Sequence, residues 1–297
     1  MSPRPPQLAP QDLTEGHSWR RAKDRLATSL MVAALVVTMI PLGFILFTVI
    51  SKGAGIISWQ FLTGTIPPQI APASEGGLGP AVLGTMLITG MATLLAVPLG
   101  VLGAVYLNEY GGTSVLAKIV RFMSDVMTGV PSIVMGLFVF SIWVLRFGFS
   151  GFAGSIALAC LMLPIVIRSS EEMLRLVPDA QREASYALGA TKVRVVFTIV
   201  LPDAAGGIVS GAILAVARAA GETAPLLFTI LTVTTANRNL FHGPNTALPS
   251  QIFANATSPY SGAQARAWGA ALTLVVLAFV LTMIARLITA RFAKVTR

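Results

Sequence analysis

Two ionisable side chains stand inside a long apolar run: Arg218 and Glu222, in Arg218-Ala219-Ala220-Gly221-Glu222-Thr223-Ala224-Pro225. Four residues apart, they share one face of a helix. A charged side chain at the centre of a membrane helix costs roughly 2.5–3.5 kcal/mol on insertion scales, so two of them need a compensating use. Two uses are open. Either the pair is structural, each charge hiding the other, or Arg218 faces a pathway and holds an anion. An ionisable group at membrane depth favours the second. The two uses combine if Glu222 neutralises Arg218 until an oxyanion competes for the guanidinium, whose planar fork suits tetrahedral oxygens. An ionised carboxylate accepts hydrogen bonds and donates none. Glu222 would then tolerate an oxyanion that still carries a proton and repel one that carries none. Thr223 either adds a hydroxyl to such a pathway or packs against a neighbouring helix. Ser132 follows Gly129-Val130-Pro131, a break in another apolar run. Such a break is tolerated only where protein or water meets the freed backbone, so Ser132 joins the pathway candidates.

A second stretch is built for contact. Glu183-Ala184-Ser185-Tyr186-Ala187-Leu188-Gly189-Ala190, closed by Ile199-Val200-Leu201-Pro202, is a polar, basic interlude between apolar runs. It predicts a short helix, a glycine turn and a second short helix stopped at Pro202. Glu183, Ala184, Ala187 and Leu188 fall on adjacent turns, giving a small-residue face that another protein's groove can approach closely. The stretch reads as a docking peg for a soluble partner. The plainer alternative is an amphipathic surface helix.

These residues must be positioned by membrane spans. Of the 297 residues, 55% are hydrophobic and 11% charged, with mean hydropathy +0.77. Soluble domains carry about 25% charged residues, so the composition is that of an all-α polytopic membrane protein. Six spans are predicted, at about 26–50, 80–107, 114–147, 152–167, 204–232 and 265–290. The third is interrupted at Gly129–Ser132, and the contact stretch lies between the fourth and fifth. The organisation is a basic tail over 1–25, the first span and an outer interfacial segment over 26–78, a transmembrane core over 79–290 and a second basic tail over 291–297. Ile56–Leu62 is expected to lie in the interface plane.

Most of the 21 Lys and Arg fall at the ends of spans on one side: Arg4 and Arg20–Arg25, Lys118 and Arg121, Arg168–Arg194, and Arg286–Arg297. Lys52, Arg146, Arg238 and Arg266 fall on the other. The bias puts both termini and the 183–202 stretch in the cytoplasm. Because the basic residues cluster at span ends, the net charge of +9 is no nucleic-acid signal. The single Cys160 excludes an intramolecular disulfide, no His/Cys metal cluster appears, and His17 in the tail and His242 in an outer loop read as solvated surface histidines rather than ligands. No G-x-x-x-x-G-K-[ST] is present, so the chain carries no P-loop.

Weaker candidates lie near the span ends. Asn108 and Glu109 are expected to cap a helix or to pair with Lys118 or Arg121. Asp125 is expected to pair with a neighbouring base, with a gate role as the alternative. Arg168, Glu171 and Glu172 either touch a partner or are solvated. Arg238, Asn239, His242 and Asn245 form either a partner contact or an exposed loop.

The spacing Glu-Ala-Ser-x-x-x-Gly, nine residues, Ile-x-Leu-Pro resembles the EAA loop of ABC-importer permeases, with Ser185 where that loop usually has Ala. Arg218–Leu227 resembles the fifth-span signature of the phosphate-specific ABC importer permeases of the PstA type. Ser58–Gly64, Gly77–Pro80, Tyr106–Tyr110, Gly129–Gly136 and Leu174–Pro178 are similar too, so the likeness covers about residues 55–290. The Arg-x-x-Gly-Glu-Thr kernel is shared with the PstC type; Tyr106–Tyr110 and Arg175–Pro178 favour the PstA type. The resemblance implies a subunit without its own ATPase site, working beside a PstC-type permease. Two copies of an ATPase holding ATP and Mg would take up Glu183, Ala184, Ser185, Ala187, Leu188 and Gly189. A phosphate-binding protein would dock on the outer face. Phosphate near neutral pH keeps a proton and sulfate does not, so the reading of Glu222 fits phosphate. A permease for another oxyanion or solute, and a membrane scaffold or sensor in phosphate signalling, remain alternatives.

Overall fold

The computed structural model describes residues 17–295. Arg4, Arg297 and the Pro- and Gln-rich stretch before His17 lie outside the described residues, as do the side chains of His17, Arg20, Arg291 and Lys294. Among the described residues all regular structure is helical. Five helices are long and apolar enough to cross a membrane: Arg21–Gly53, Gly79–Gly111, Gly151–Arg175, Lys192–Ala220 and Ser261–Ile284. A sixth is made if the bent pair Val115–Gly129 and Ser132–Phe147 counts as one span.

The chain divides into two units, Met1–Ser51 and Lys52–Arg297. The first is the body of α1 (His17–Gly53), whose Leu30, Met31, Phe44 and Phe47 are exposed, as lipid-facing side chains are. In the second, α2 (Trp59–Thr63) is capped by the Ser58 hydroxyl, which accepts from the Phe61 N–H at 3.1 Å. Of the expected interfacial stretch Ile56–Leu62, only the four residues Trp59–Leu62 are in this helix. Phe61 is buried with Leu78, Ala81, Leu248 and Ala270, while Trp59 is exposed.

The centre is a three-helix contact among α3 (Gly79–Val105), α7 (Gly151–Arg175) and α10 (Leu201–Ala220). Ile88, Ala92 and Ala96 of α3 meet Leu158, Ala159, Met162 and Val166 of α7 and Ala215 and Ala219 of α10. Hydrocarbon offers helices no hydrophobic reason to associate, so small residues that admit close packing take over. Gly207 and Gly211 of α10 leave room for Met173 and Ser169; a Cβ on either would come within 2.1 and 2.2 Å of those side chains.

Two expectations are corrected around the contact stretch. α7 runs to Arg175 rather than ending at Ile167, and α8 (Asp179–Ala187) follows at once. Pro202 stops nothing. α9 (Lys192–Val195), a π-turn over Val196–Val200 and α10 form one helical span, Lys192–Ala220. A proline lacks the N–H and crowds the carbonyl one turn back; the wider π-turn just before Pro202 relieves that crowding, so the helix passes through.

The loop beyond the fifth span also differs. It contains α12 (Leu248–Ala256), and α13 (Ser261–Val295) begins earlier than 265. Arg266, expected outside the membrane as an orienting charge, is 1% exposed. It donates to four carbonyls: Ala71 and Pro72 at 2.8 Å, Pro68 at 3.2 Å and Gln69 at 3.1 Å. One guanidinium thus ties the 68–72 turn to α13. Thr246, wholly buried, places its carbonyl 1.8 Å from where a Cβ on Gly84 would stand. The Leu248 N–H bonds the Thr85 hydroxyl beside it at 2.7 Å. Gly84→Ala should therefore destabilise the purified protein by about 1–3 kcal/mol, seen as a lower unfolding midpoint. Gly90→Ala, with nothing within 4 Å, should leave the midpoint unchanged or raise it.

Candidate functional site

Two of the expected spans are broken, and the breaks face each other. α4 (Val115–Gly129) and α5 (Ser132–Val139) meet at 109° across Val130-Pro131. Pro131 is extended, at φ −58° and ψ 137°, and Ser132 opens the new helix. The fifth span stops at Ala220, and α11 (Ala224–Thr229) restarts after Gly221–Thr223. Gly136 brings the two together: a Cβ there would lie 2.7 Å from the Pro225 Cα. α7 contributes Pro164, which removes a backbone donor at the same level.

Between these elements lies a cavity of about 230 Å³, lined by Met127, Thr128, Val130, Pro131, Ser132, Leu161, Pro164, Ile165, Arg218 and Glu222. Arg218 and Glu222 approach to 3.8 Å, Nε to Oε1, an ion pair longer than a hydrogen bond. Their side chains are 69% and 21% exposed. Glu222 lies past the end of α10, yet its N–H still bonds the Ala219 carbonyl at 3.1 Å, so the one-turn relation to Arg218 survives the break. The first turn of α5 adds N–H groups without partners of their own helix, and a helix N-terminus favours negative charge. One cation, one carboxylate, the Ser132 hydroxyl and a helix start can together hold a small oxyanion, while the Thr128 hydroxyl donates to the Asp125 carbonyl of its own helix at 2.6 Å. Thr223, expected with them, does not line this cavity. A larger cavity of about 370 Å³ is lined by apolar side chains of the second, fifth and sixth spans, with Thr93 and Thr282 bonded to their own helices. It offers an anion nothing.

α8 carries the contact residues. Glu183, Ala184, Ala187 and Leu188 are exposed, Leu188 at 89%. Ser185 is buried and donates to the Gln181 carbonyl at 2.9 Å. Gly189 has φ +81°, the left-handed conformation that ends a helix after the cap.

The ions near α8 pair differently from expectation. Glu109, in the π-turn Tyr106–Gly111 that continues α3, meets neither Lys118 nor Arg121. It pairs with Arg182 at 3.1 Å and accepts from Asn108 at 2.8 Å. Glu171 is not solvated: its side chain is 3% exposed and accepts from Arg121 at 2.8 Å and from Arg175 at 2.5 Å. Asp125 stands 3.7 Å from Arg168, both exposed. Arg182 escaped notice because its partner is 73 residues away in the chain. The nearest signal was Glu109 itself, a carboxylate at a span end without a local partner. At the opposite end, Asn245 is buried rather than exposed. Asn237 organises the loop by donating to the carbonyls of His242 at 2.8 Å and Pro244 at 3.0 Å. Arg238 is exposed over an open hollow with Thr63, Thr65, Thr234 and Thr235.

The family described as "Binding-protein-dependent transport system inner membrane component" matches residues 96–294. The phosphate transport system permease protein PstA 1 of Mycobacterium tuberculosis (strain ATCC 25618 / H37Rv) is 45% identical over 94% of this chain and 90% of its own length. The phosphate transport system permease protein PstA of Yersinia pestis is 43% identical over 92% of each. Among solved structures, a bacterial alginate ABC transporter with a pentasaccharide-bound periplasmic protein aligns over 93% of this chain and 98% of its own, with TM-score 0.67 and 14% identity. The inward-facing MetNI methionine ABC transporter aligns over 73% and 94%, with TM-score 0.58.

Glu171 answers two guanidiniums with one buried oxygen. Glu171→Ala should lower stability by roughly 2–3 kcal/mol, less than a fully buried pair because Arg175 is half exposed. The unfolding midpoint of the purified protein against that of Glu172→Ala, an exposed carboxylate on the same helix, checks it.

Proposed function

The chain belongs to the inner-membrane permeases of binding-protein-dependent ABC importers, and from that premise we propose that it is the permease subunit moving inorganic phosphate through an ATP-driven importer. The relatives named as phosphate permeases support the substrate. The observation that carries the mechanism is the cavity holding Arg218, Glu222 and Ser132 where two broken spans meet.

Arg218 is loosely paired and largely exposed, so its guanidinium is available. Phosphate arriving in the cavity takes the guanidinium with two of its oxygens. Glu222, displaced by that contact, accepts a hydrogen bond from the P–OH that phosphate still carries. Sulfate brings no proton and meets a bare carboxylate. Ser132 supplies a hydroxyl, and Thr223 is assigned a backbone role at the restart of the fifth span. Phosphate crosses unaltered; the work is alternating access.

The partners in this reading are a PstC-type permease completing the pathway, two copies of an ATPase, and a phosphate-binding protein on the outer face. ATP and Mg belong to the ATPase. Glu183, Ala184, Ala187, Leu188 and Gly189 are its docking residues, with Ser185 buried behind them, on the cytoplasmic side of a bacterial inner membrane with both termini.

Arg218→Gln should reduce uptake of radiolabelled phosphate roughly ten- to a hundredfold, the weight of a charge-assisted hydrogen bond or two. Membrane level and co-purification of the ATPase should stay as in the unmodified chain. Uptake that persists with the complex intact would make the pair structural. Glu222→Gln introduces a donor, so sulfate should begin to compete with phosphate. Selectivity identical to that of the unmodified chain would remove Glu222 from the discrimination.

A further inference from the structure

Resting on the permease reading above, we propose that Arg182 is the joint that carries displacement of α8 to the ends of α3 and α7, with Glu109 as its counterpart. Both are positioning residues; neither meets substrate.

The backbone is a poor lever here. α8 is nine residues long and hangs between two turns, Leu176–Pro178 before it and Leu188–Thr191 after it. The second turn passes through Gly189 in the left-handed region, with the exposed Leu188 beside it. A push on the face formed by Glu183, Ala184, Ala187 and Leu188 reaches the fifth span through that turn and through the packing of α8 on α9 and the Val196–Val200 π-turn.

The side chain of Arg182 is a stiffer route. It is 13% exposed, and each of its terminal nitrogens is committed twice. Nη1 donates to the Val177 carbonyl at 2.6 Å and to Asp179 at 2.9 Å. Nη2 donates to the Leu174 carbonyl at 2.9 Å and to Glu109 at 3.1 Å. Leu174 is in the last turn of α7, and Val177 follows its end. Glu109 is 6% exposed and sits in the π-turn that continues α3. Among the described residues this is the ion pair that ties α8 to another element. A planar guanidinium bonded to four oxygens, three of them outside α8, cannot rotate without breaking several bonds at once, so it couples α8 to the ends of α7 and α3.

The receiving elements lead to the cavity. Pro164 and Ile165 line it from α7, about 15 Å up the helix from Leu174 at 1.5 Å per residue. The π-turn around Glu109 holds one residue more than an α-turn, and such turns can shift along a helix in discrete steps. The joint therefore delivers motion to a rigid rod on one side and to a register-changing turn on the other. Lysine, with one nitrogen, could hold at most part of this set.

The test uses the whole complex in proteoliposomes, with ATP hydrolysis and phosphate uptake measured in the same vesicles. Arg182→Lys and Glu109→Gln should each raise the ATP hydrolysed per phosphate moved by roughly fivefold or more, the scale of an ordinary coupling free energy. Subunit recovery should be unchanged, and the double variant should be no worse than either single one. A ratio equal to that of the unmodified complex, even with both rates reduced together, would overturn the proposal, because a merely structural role scales the two alike. Hydrogen exchange over residues 105–111, with and without ATP, gives a readout independent of phosphate. The unmodified complex should change its protection there on adding ATP, and the Glu109→Gln complex should not. A nucleotide response retained in the variant also overturns the joint. If the unmodified vesicles hydrolyse ATP and move no phosphate, the substrate assignment fails by itself, and the exchange measurement still decides the joint.

Discussion

The bilayer offers no water to a freed peptide group, and the rest of this structure follows from that constraint. A helix can break at membrane depth only where protein or a wet cavity receives its ends. The breaks at Val130-Pro131 and Gly221–Thr223 meet that condition together, each turned toward the other across the cavity. Gly136 and Pro225 allow the approach, and Pro164 of the unbroken α7 leaves one backbone donor fewer at the same level. The polar site is thus a by-product of where backbone can be opened safely, with Arg218 and Glu222 placed at the opening.

Four arginines show how availability separates a site from a fastening. Arg266 is saturated by four carbonyls, Arg182 by two carbonyls and two carboxylates, and Arg121 by Glu171 and the Leu107 and Gly112 carbonyls. Arg218 has only a loose contact with Glu222. A cation that has satisfied its donors holds the fold; one that has not is free to meet an anion.

The spans, the break at Pro131 and the Arg218–Glu222 pair were legible in the sequence because apolar length, proline and membrane-depth charge are local signals. The rest was hidden for physical reasons. Pro202 reads as a stop, and only the preceding π-turn makes it harmless. Arg266 reads as an outer loop charge, because carbonyl partners leave no trace in residue types. Glu109 and Arg182, and Glu171 and Arg121, are far apart in the chain, so no spacing announces them. Thr223 follows Glu222 in sequence, but the turn at Gly221 keeps it out of the cavity lining.

The contact of Thr246 with Gly84 has a consequence for how the protein is made. The second span is synthesised long before the segment that carries Thr246, and until that segment arrives Gly84 and the Thr85 hydroxyl have nothing to receive. A ribosome-bound or truncated chain therefore presents a notched, half-satisfied helix to the membrane. Closure of the notch waits for the segment after the fifth span, so the second span is fully packed only once most of the chain has been made.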